Sequence, residues 1–335
     1  MSPTDVTAHA PDPWSTPERV ALRRLARDFV AREIAPNMAE WERDGELPRD
    51  LHRKAAGAGL LGVGFAEEVG GSGSSPSRSH SAVMTEEILH GGGSTGVCAS
   101  LFTHGIAVPH IAAHGSAELV DRYVRPTLAG ELIGSLAVTE PGGGSDVANL
   151  RTRAVREGDE YVVNGAKTFI TSGVRADFVT TAVRTGGPGH GGVSLLVIDT
   201  NTPGFSVSRR LDKMGWRCSD TAELAFTDVR VPAAQLVGTR NSGFVQIMQQ
   251  FQSERIGLAV QAYATAARAL DLALGWARDR ETFGRPLSSR QVIRHKLAEM
   301  ARQVDVACTY TRAVAQRYLA GEDVVTASST TKSQA

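Results

Sequence analysis

The period of the hydrophobic pattern changes twice along this chain. From Leu132 to Val231 apolar residues recur at every second position, in short runs (LRTRAVRE, YVVNGAKTF, FVTTAVRT, VSLLVIDT, FSVSRR, AELAFTDVRV) punctuated by Gly, Asn and Pro. On both sides of that stretch they recur at helical spacing instead. Short, evenly spaced strands predict a small β-barrel or sandwich, so the expected fold class is α+β. The expected order is a tail at residues 1–14, an N-terminal all-helical domain at 15–131, a middle β domain, a barrel, at 132–238, and a C-terminal helical bundle at 239–335.

Within the first helical part, Thr16 supplies a cap hydroxyl ahead of Pro17, and Leu22, Leu25, Ala26, Phe29 and Val30 repeat at helix spacing. A second helix is expected from Pro48 to Gly59, a third from His80 to His90, stopped by Gly91 to Gly93, and further helical stretches over 101–113 and from Ser116, disturbed at Pro126. From Asn241 one helical pattern runs for nearly forty residues, with Phe244, Ile247, Met248, Phe251, Leu258, Ala262 and Leu270 as core candidates. Gly284 and Pro286 turn the chain into a second long helix over 288–319.

Charge excludes one class of partner. With 36 basic and 36 acidic side chains in 335 residues there is no net field to attract nucleic acid. No apolar run approaches the ~18 residues that span a bilayer, and the prolines and aspartates of the first 14 residues do not make a signal peptide. A cytoplasmic protein with no membrane insertion is expected. Cys98, Cys218 and Cys308 are far apart and read as reduced thiols, and His104, His110 and His114 lack a neighbouring carboxylate at ligand spacing, so no metal is expected.

The chemistry-bearing stretch runs from Leu136 to Gly173. Thr139 and Glu140 lead into Pro141 and three glycines, then Ser145 and Asp146; two strands reverse over Gly158-Asp159; and after Lys167 comes a third short segment, Phe169 to Gly173. Glycines there let backbone N–H groups approach a ligand closely, but the run has neither the lysine of a P-loop nor the following helix of a dinucleotide fingerprint. On the long helix, Glu254 shares a face with Phe251 and Leu258. Burial of that face should raise its pKa toward neutrality, as a general base requires.

TEPGGGSD followed by a strand pair and KTFITSG resembles the acyl-CoA dehydrogenase family. Further blocks fall in the family's order: GLLGVGFAEEVGG, LDKMGWRCSDTAELAFTDVRVP, SERIGLA and RDRETFGRPL, so that the resemblance extends from Trp14 to Ala335. It implies α,β-dehydrogenation of an acyl-CoA thioester in fatty acid β-oxidation, FAD as cofactor, an electron-transfer flavoprotein as partner, and a homo-oligomer, tetramer or dimer. By the same resemblance FAD is held by Leu136, Val138, Thr139, Gly144, Ser145, Phe169, Ile170 and Thr171, and, from a neighbouring subunit, by Arg280, Thr282, Phe283 and Gln291. Leu136 and Phe169 stand where many relatives have Tyr and Trp.

Ser-Glu-Arg matches the arrangement of isovaleryl-CoA and long-chain enzymes, which makes Glu254 the catalytic base; Ser145, Phe251 and Arg255 are the implied substrate-binding residues, and Ser100 to Phe102 lie where the acyl tunnel would end. The family's later helices would follow residue 335, and the expectation is of a truncated bundle and an incompetent chain. A flavin oxidase or monooxygenase on the same fold, and a catalytically silent family member, are the alternatives.

Overall fold

The computed structural model describes residues 14–73 and 78–334. The expected tail lies outside these residues except for Trp14, which is buried, with the guanidinium groups of Arg19 and Arg312 over its ring at 5.2 and 5.4 Å. Helix α1 (Pro17–Phe29) starts as its sequence predicts, the Arg19 N–H donating to Thr16 Oγ1 at 3.4 Å. A π turn (Val30–Ile34) and a 3-10 turn (Ala35–Asn37) carry it into α2 (Met38–Asp44), which the sequence reading did not separate. Gly45 ends α2 at φ 79, a left-handed cap that a side chain would strain.

Next come α3 (Asp50–Gly57), α4 (Arg78–His90) and α5 (Thr95–Leu101). The stretch expected as one helix over 101–113 is broken into α6 (His104–Ala107) and α7 (Pro109–His114), because Pro109 has no N–H to continue a ladder. Then α8 (Ala117–Leu119), capped by Ser116, passes through a π turn into α9 (Arg125–Leu128).

The middle region expected as a barrel is one curled seven-stranded sheet: β1 (Gly134–Ala137), β2 (Arg153–Glu157), β3 (Glu160–Thr171), β4 (Phe178–Arg184), β5 (Val193–Asp199), β6 (Phe205–Arg210) and β7 (Thr221–Pro232). The order is β1-β4-β2-β3-β7-β6, with β5 paired to β4. The β2–β3 hairpin turns over Gly158-Asp159, with Glu157 opposite Glu160. Phe169 to Thr171, read from sequence as a separate segment, continues β3, and the irregularity between Lys167 and Ile170 marks where Phe169 adopts φ 60. Strands β4 and β5 are nearly continuous apolar runs because both faces are covered: Phe178, Ala182, Leu195 and Val197 pack toward the helices, Val179, Val183, Leu196 and Ile198 into the sheet interior.

Helix α10 (Gly243–Asp279) has 37 residues, about 55 Å at 1.5 Å per residue. The short hairpin β8 (Glu281–Thr282) and β9 (Arg285–Pro286) then leads to α11 (Gln291–Leu319) and α12 (Val325–Gln334). Ile247 packs with the cluster under the sheet, while Ile256, Val260 and Tyr263 join the cluster of the N-terminal helices, so α10 spans both cores. Leu258, a core candidate by periodicity, is 39% exposed, and so is Leu25. Buried Glu86 on α4 ties the helical layers together, accepting from Arg23 of α1 at 2.6 Å, Tyr263 of α10 at 2.5 Å and Arg312 of α11 at 2.8 Å. No single helix among the described residues is long and apolar enough to cross a membrane.

Candidate active site

Where α10 passes between the N-terminal helices and the sheet it borders a cavity of about 630 Å³. Its walls are mainly apolar: Val63, Phe65 and Val69 from the loop after α3, Met84 from α4, Ala99 and Phe102 around α5, Ile106 from α6, and Leu258 from α10. Glu254 lines this cavity, half-buried, together with Thr171 at the end of β3 and Trp216 from the loop before β7. Residues 254, 257, 258 and 261 all face it, as i, i+3, i+4 and i+7 positions on one side of a helix must. The structure thus brings the carboxylate of α10 and the hydroxyl of Thr171, 83 residues apart in sequence, into one enclosure.

The Gly-rich loop after β1 is held from beneath by charge. Glu140 accepts from the backbone N–H groups of Arg151 at 2.6 Å and Thr152 at 2.8 Å, and from Lys167 Nζ at 3.0 Å; Lys167 also donates to the Val138 carbonyl at 2.9 Å. Burial pulls the Lys167 ammonium down to about 8 against the attraction of Glu140. Burial alone would raise the Glu140 carboxyl, but Lys167, Thr152 and the Arg151 N–H outweigh it and hold the group below its ordinary value. The Glu140 and Gly143 backbones bond to each other in both directions, and Gly142 to Ser145 project into solvent. Thr168 N–H donates to the Thr139 carbonyl at 2.9 Å, which ties this loop to the β3 segment carrying Phe169 and Thr171.

The other sequence-derived positions divide. Val138 and Ile170 are buried, Ile170 in the sheet interior, so only their backbone is offered at the surface of the site; Leu136 and Thr139 are half-buried. Phe169 is 68% exposed at positive φ. Phe251 packs with the cluster under the sheet, and neither it nor Arg255 lines the cavity. Of the three residues placed at the tunnel end, Phe102 does line it, whereas Ser100 and Leu101 are fully buried, the Ser100 hydroxyl accepting from Arg175.

Arg280, Thr282, Phe283 and Gln291 lie together around the β8–β9 hairpin, outside the cavity lining. Phe283 is 97% exposed at φ 52, its ring 5.6 Å from the guanidinium of Arg290, whose Nη2 donates to the Thr282 carbonyl. An aromatic ring held out in a left-handed conformation is strained and unburied at once. Arg280 is likewise exposed.

Profiles of the acyl-CoA dehydrogenase N-terminal, middle and C-terminal domains match residues 16–131, 135–229 and 241–335. A probable acyl-CoA dehydrogenase of Bacillus subtilis, YngJ, is 38% identical over 294 residues, covering 87% of this chain and 77% of the relative. The chain belongs to the acyl-CoA dehydrogenase family. The crystal structure of a probable family member from Mycobacterium abscessus superposes with a TM-score of 0.94 at 78% identity, covering 96% of this chain and 85% of that one. A glutaryl-CoA dehydrogenase from Mycobacterium smegmatis, solved in complex with FADH2, superposes with a TM-score of 0.87 at 26% identity, covering 96% and 81%.

Within this acyl-CoA dehydrogenase fold, several cavity residues escaped the sequence reading. Thr85 and Thr103 have no motif to mark them; Trp216 lies in the quoted block LDKMGWRCSDTAELAFTDVRVP but was given no role there, and Gln261 had its seven-residue spacing from Glu254 on one helix as a signal. Thr103 Oγ1 and Gln261 Oε1 are buried without a hydrogen-bond partner. His104 also borders the cavity, and burial pulls its imidazole down to about 4, so it is neutral. Cys98 and Cys218 are free and buried, with thiols pushed up to about 12 by burial, and no group of His, Cys, Asp and Glu among the described residues forms a metal site.

Proposed function

We propose that this family member dehydrogenates an acyl-CoA thioester between Cα and Cβ, giving the 2-enoyl-CoA, with FAD as its cofactor and an electron-transfer flavoprotein as the partner that takes the electrons onward. The observation that carries the reading is Glu254 on the wall of a mainly apolar cavity that also takes in Thr171. A carboxylate there would accept the α-proton, and apolar walls such as Met84 and Phe102 would limit water around the carbanion character that develops as the proton leaves.

The residues present fit a flat, multiply hydrogen-bonding cofactor. Phe169 holds an exposed ring at φ 60, two residues from the half-buried Thr171, and the neighbouring Ser172 Oγ is buried with no partner. The flavin, when bound, supplies the acceptor for the β-hydride, a role no side chain fills. Thr139 and Thr171 would offer hydroxyls to its polar edge, Phe169 a stacking surface, and the exposed Gly144 and Ser145 backbone an approach for its phosphates. Ser145 and Arg255 would lie toward the CoA moiety. Arg280, Thr282, Phe283 and Gln291, grouped on an exposed hairpin outside this cavity, would reach the FAD of a neighbouring subunit, which makes a homo-oligomer, dimer or tetramer, the working form.

The decisive experiment mixes the purified flavin-loaded protein anaerobically with saturated acyl-CoA thioesters and follows the visible flavin band and the enoyl product together. Bleaching with stoichiometric 2-enoyl-CoA is the expected result; a band unchanged by every thioester would refute the proposal.

A further inference from the structure

The following rests on the acyl-CoA reading of the cavity and concerns what the acyl chain carries. From Glu254, the wall formed by α10 runs past Gly257 and Leu258 to Gln261. A Cβ added to Gly257 would meet nothing within 4 Å, so the lane between the base and Gln261 is open. Seven residues separate Glu254 from Gln261, two turns on one helical face, which sets the amide about 10 Å beyond the carboxylate.

Gln261 does not fill the role that usually justifies an amide at such a place. Its Oε1 is buried and has no hydrogen-bond partner, although a Leu there would remove the unsatisfied group at similar volume. Thr85 of α4 lines the same cavity, and one residue further on α4 Glu86 meets Tyr263, two residues beyond Gln261. Thr85 and Gln261 therefore stand at one depth, beside the apolar Ala82, Met84, Cys98 and Ala99, with Ser81 and Tyr318 as further polar side chains on the lining; of Thr85, Ser81, Tyr318 and Gln261, Gln261 is the one with a buried unpaired atom. Buried polar groups left unpaired in an apolar site are what makes a site discriminate in favour of a ligand that pairs them.

We infer that the preferred substrate is an acyl-CoA whose chain bears a hydroxyl group about 10 Å from the α-carbon, where it donates to Gln261 Oε1 opposite Thr85. Thr103 Oγ1 is also unpaired in this cavity, but only Gln261 has its distance from the base fixed by a shared helix.

The test measures binding and needs no turnover. S-alkyl-CoA thioethers of about eight to ten carbons, the length that spans the lane in extended form, are titrated into the full chain by calorimetry, each with and without a terminal hydroxyl. The hydroxylated ligand is expected to bind about five- to tenfold more tightly than its plain counterpart. In Gln261→Leu the preference should reverse, the plain thioether gaining affinity, and Thr85→Val should reduce the preference in part. Equal or tighter binding of the plain thioether by the parent protein would overturn the inference while leaving the acyl-CoA reading intact, since the lane would then hold only water. Failure of every thioether to bind would overturn both. The comparison within the parent protein decides the matter even if a variant does not fold.

Discussion

Lys167 Nζ lies 3.0 Å from Glu140 Oε1, and the two side chains, 0% and 10% exposed, form a buried ion pair directly under the Gly-rich loop. Such a pair holds its loop in place only while both partners are present, because either one alone is an uncompensated buried charge. Lys167→Met is expected to cost about 3–5 kcal/mol of unfolding free energy and to weaken flavin retention. Pairing it with Glu140→Leu should recover only part of the loss, since Glu140 also accepts from the Arg151 and Thr152 N–H groups. Urea titration of the three proteins checks this; a single-mutant loss below about 1 kcal/mol would put the pair in the class of exposed ones.

Glu254→Gln keeps shape and polarity on the cavity wall and removes the proton acceptor. Acyl-CoA binding and flavin content are expected to be unchanged while kcat falls about a hundred- to ten-thousand-fold, the range for loss of a general base. Stopped-flow flavin reduction separates the two effects. A variant retaining a tenth of the parental rate would remove Glu254 from the role.

The two-to-helical change in period was enough to separate the sheet from its flanking helices, and the strand runs of the middle region all appear in the structure as β2 to β7. What stayed hidden depended on contacts distant in sequence. Glu140 and Lys167 are 27 positions apart, and Glu86 and Arg312 are 226 apart; no local pattern distinguishes these charges from solvated ones. The α6 and α7 break was written in Pro109, but the apolar residues on both sides concealed it. Ser100 and Leu101 show the limit of spacing arguments inside a site: they adjoin Phe102 in sequence, yet helix rotation turns them into the core and leaves Cys98, Ala99 and Phe102 on the cavity wall.

Arg280 is exposed on the hairpin that displays Phe283. Arg280→Ala is therefore expected to leave the unfolding midpoint within the usual scatter of a surface substitution, about 0.5 kcal/mol, and to lower the flavin-to-protein absorbance ratio clearly. Phe283→Ser should act in the same direction. Flavin content equal to the parent's in both variants would end the assignment of this hairpin to a neighbour's cofactor.

Acid stability follows from two histidines that are buried uncharged. Burial pulls His104 from its ordinary 6.5 down to about 4, and His52 down to about 3, with the nearby Arg175 adding to the effect on His52. Both folded values lie below the unfolded one, so the unfolded chain takes up protons first as the pH drops. The stabilisation is fully present above pH 6.5 and is lost progressively as the pH falls toward about 4 for His104 and about 3 for His52. At 1.36 kcal/mol per unit, His104 contributes on the order of 3 kcal/mol to this slope. In His104→Gln, an uncharged replacement, unfolding free energy measured by urea titration should therefore fall less steeply between pH 6.5 and 4 than in the parent, whatever its value at neutral pH. Parallel pH profiles for the two proteins would show that His104 is charged in the folded state, and that the apolar side of the cavity is wetter than its lining implies.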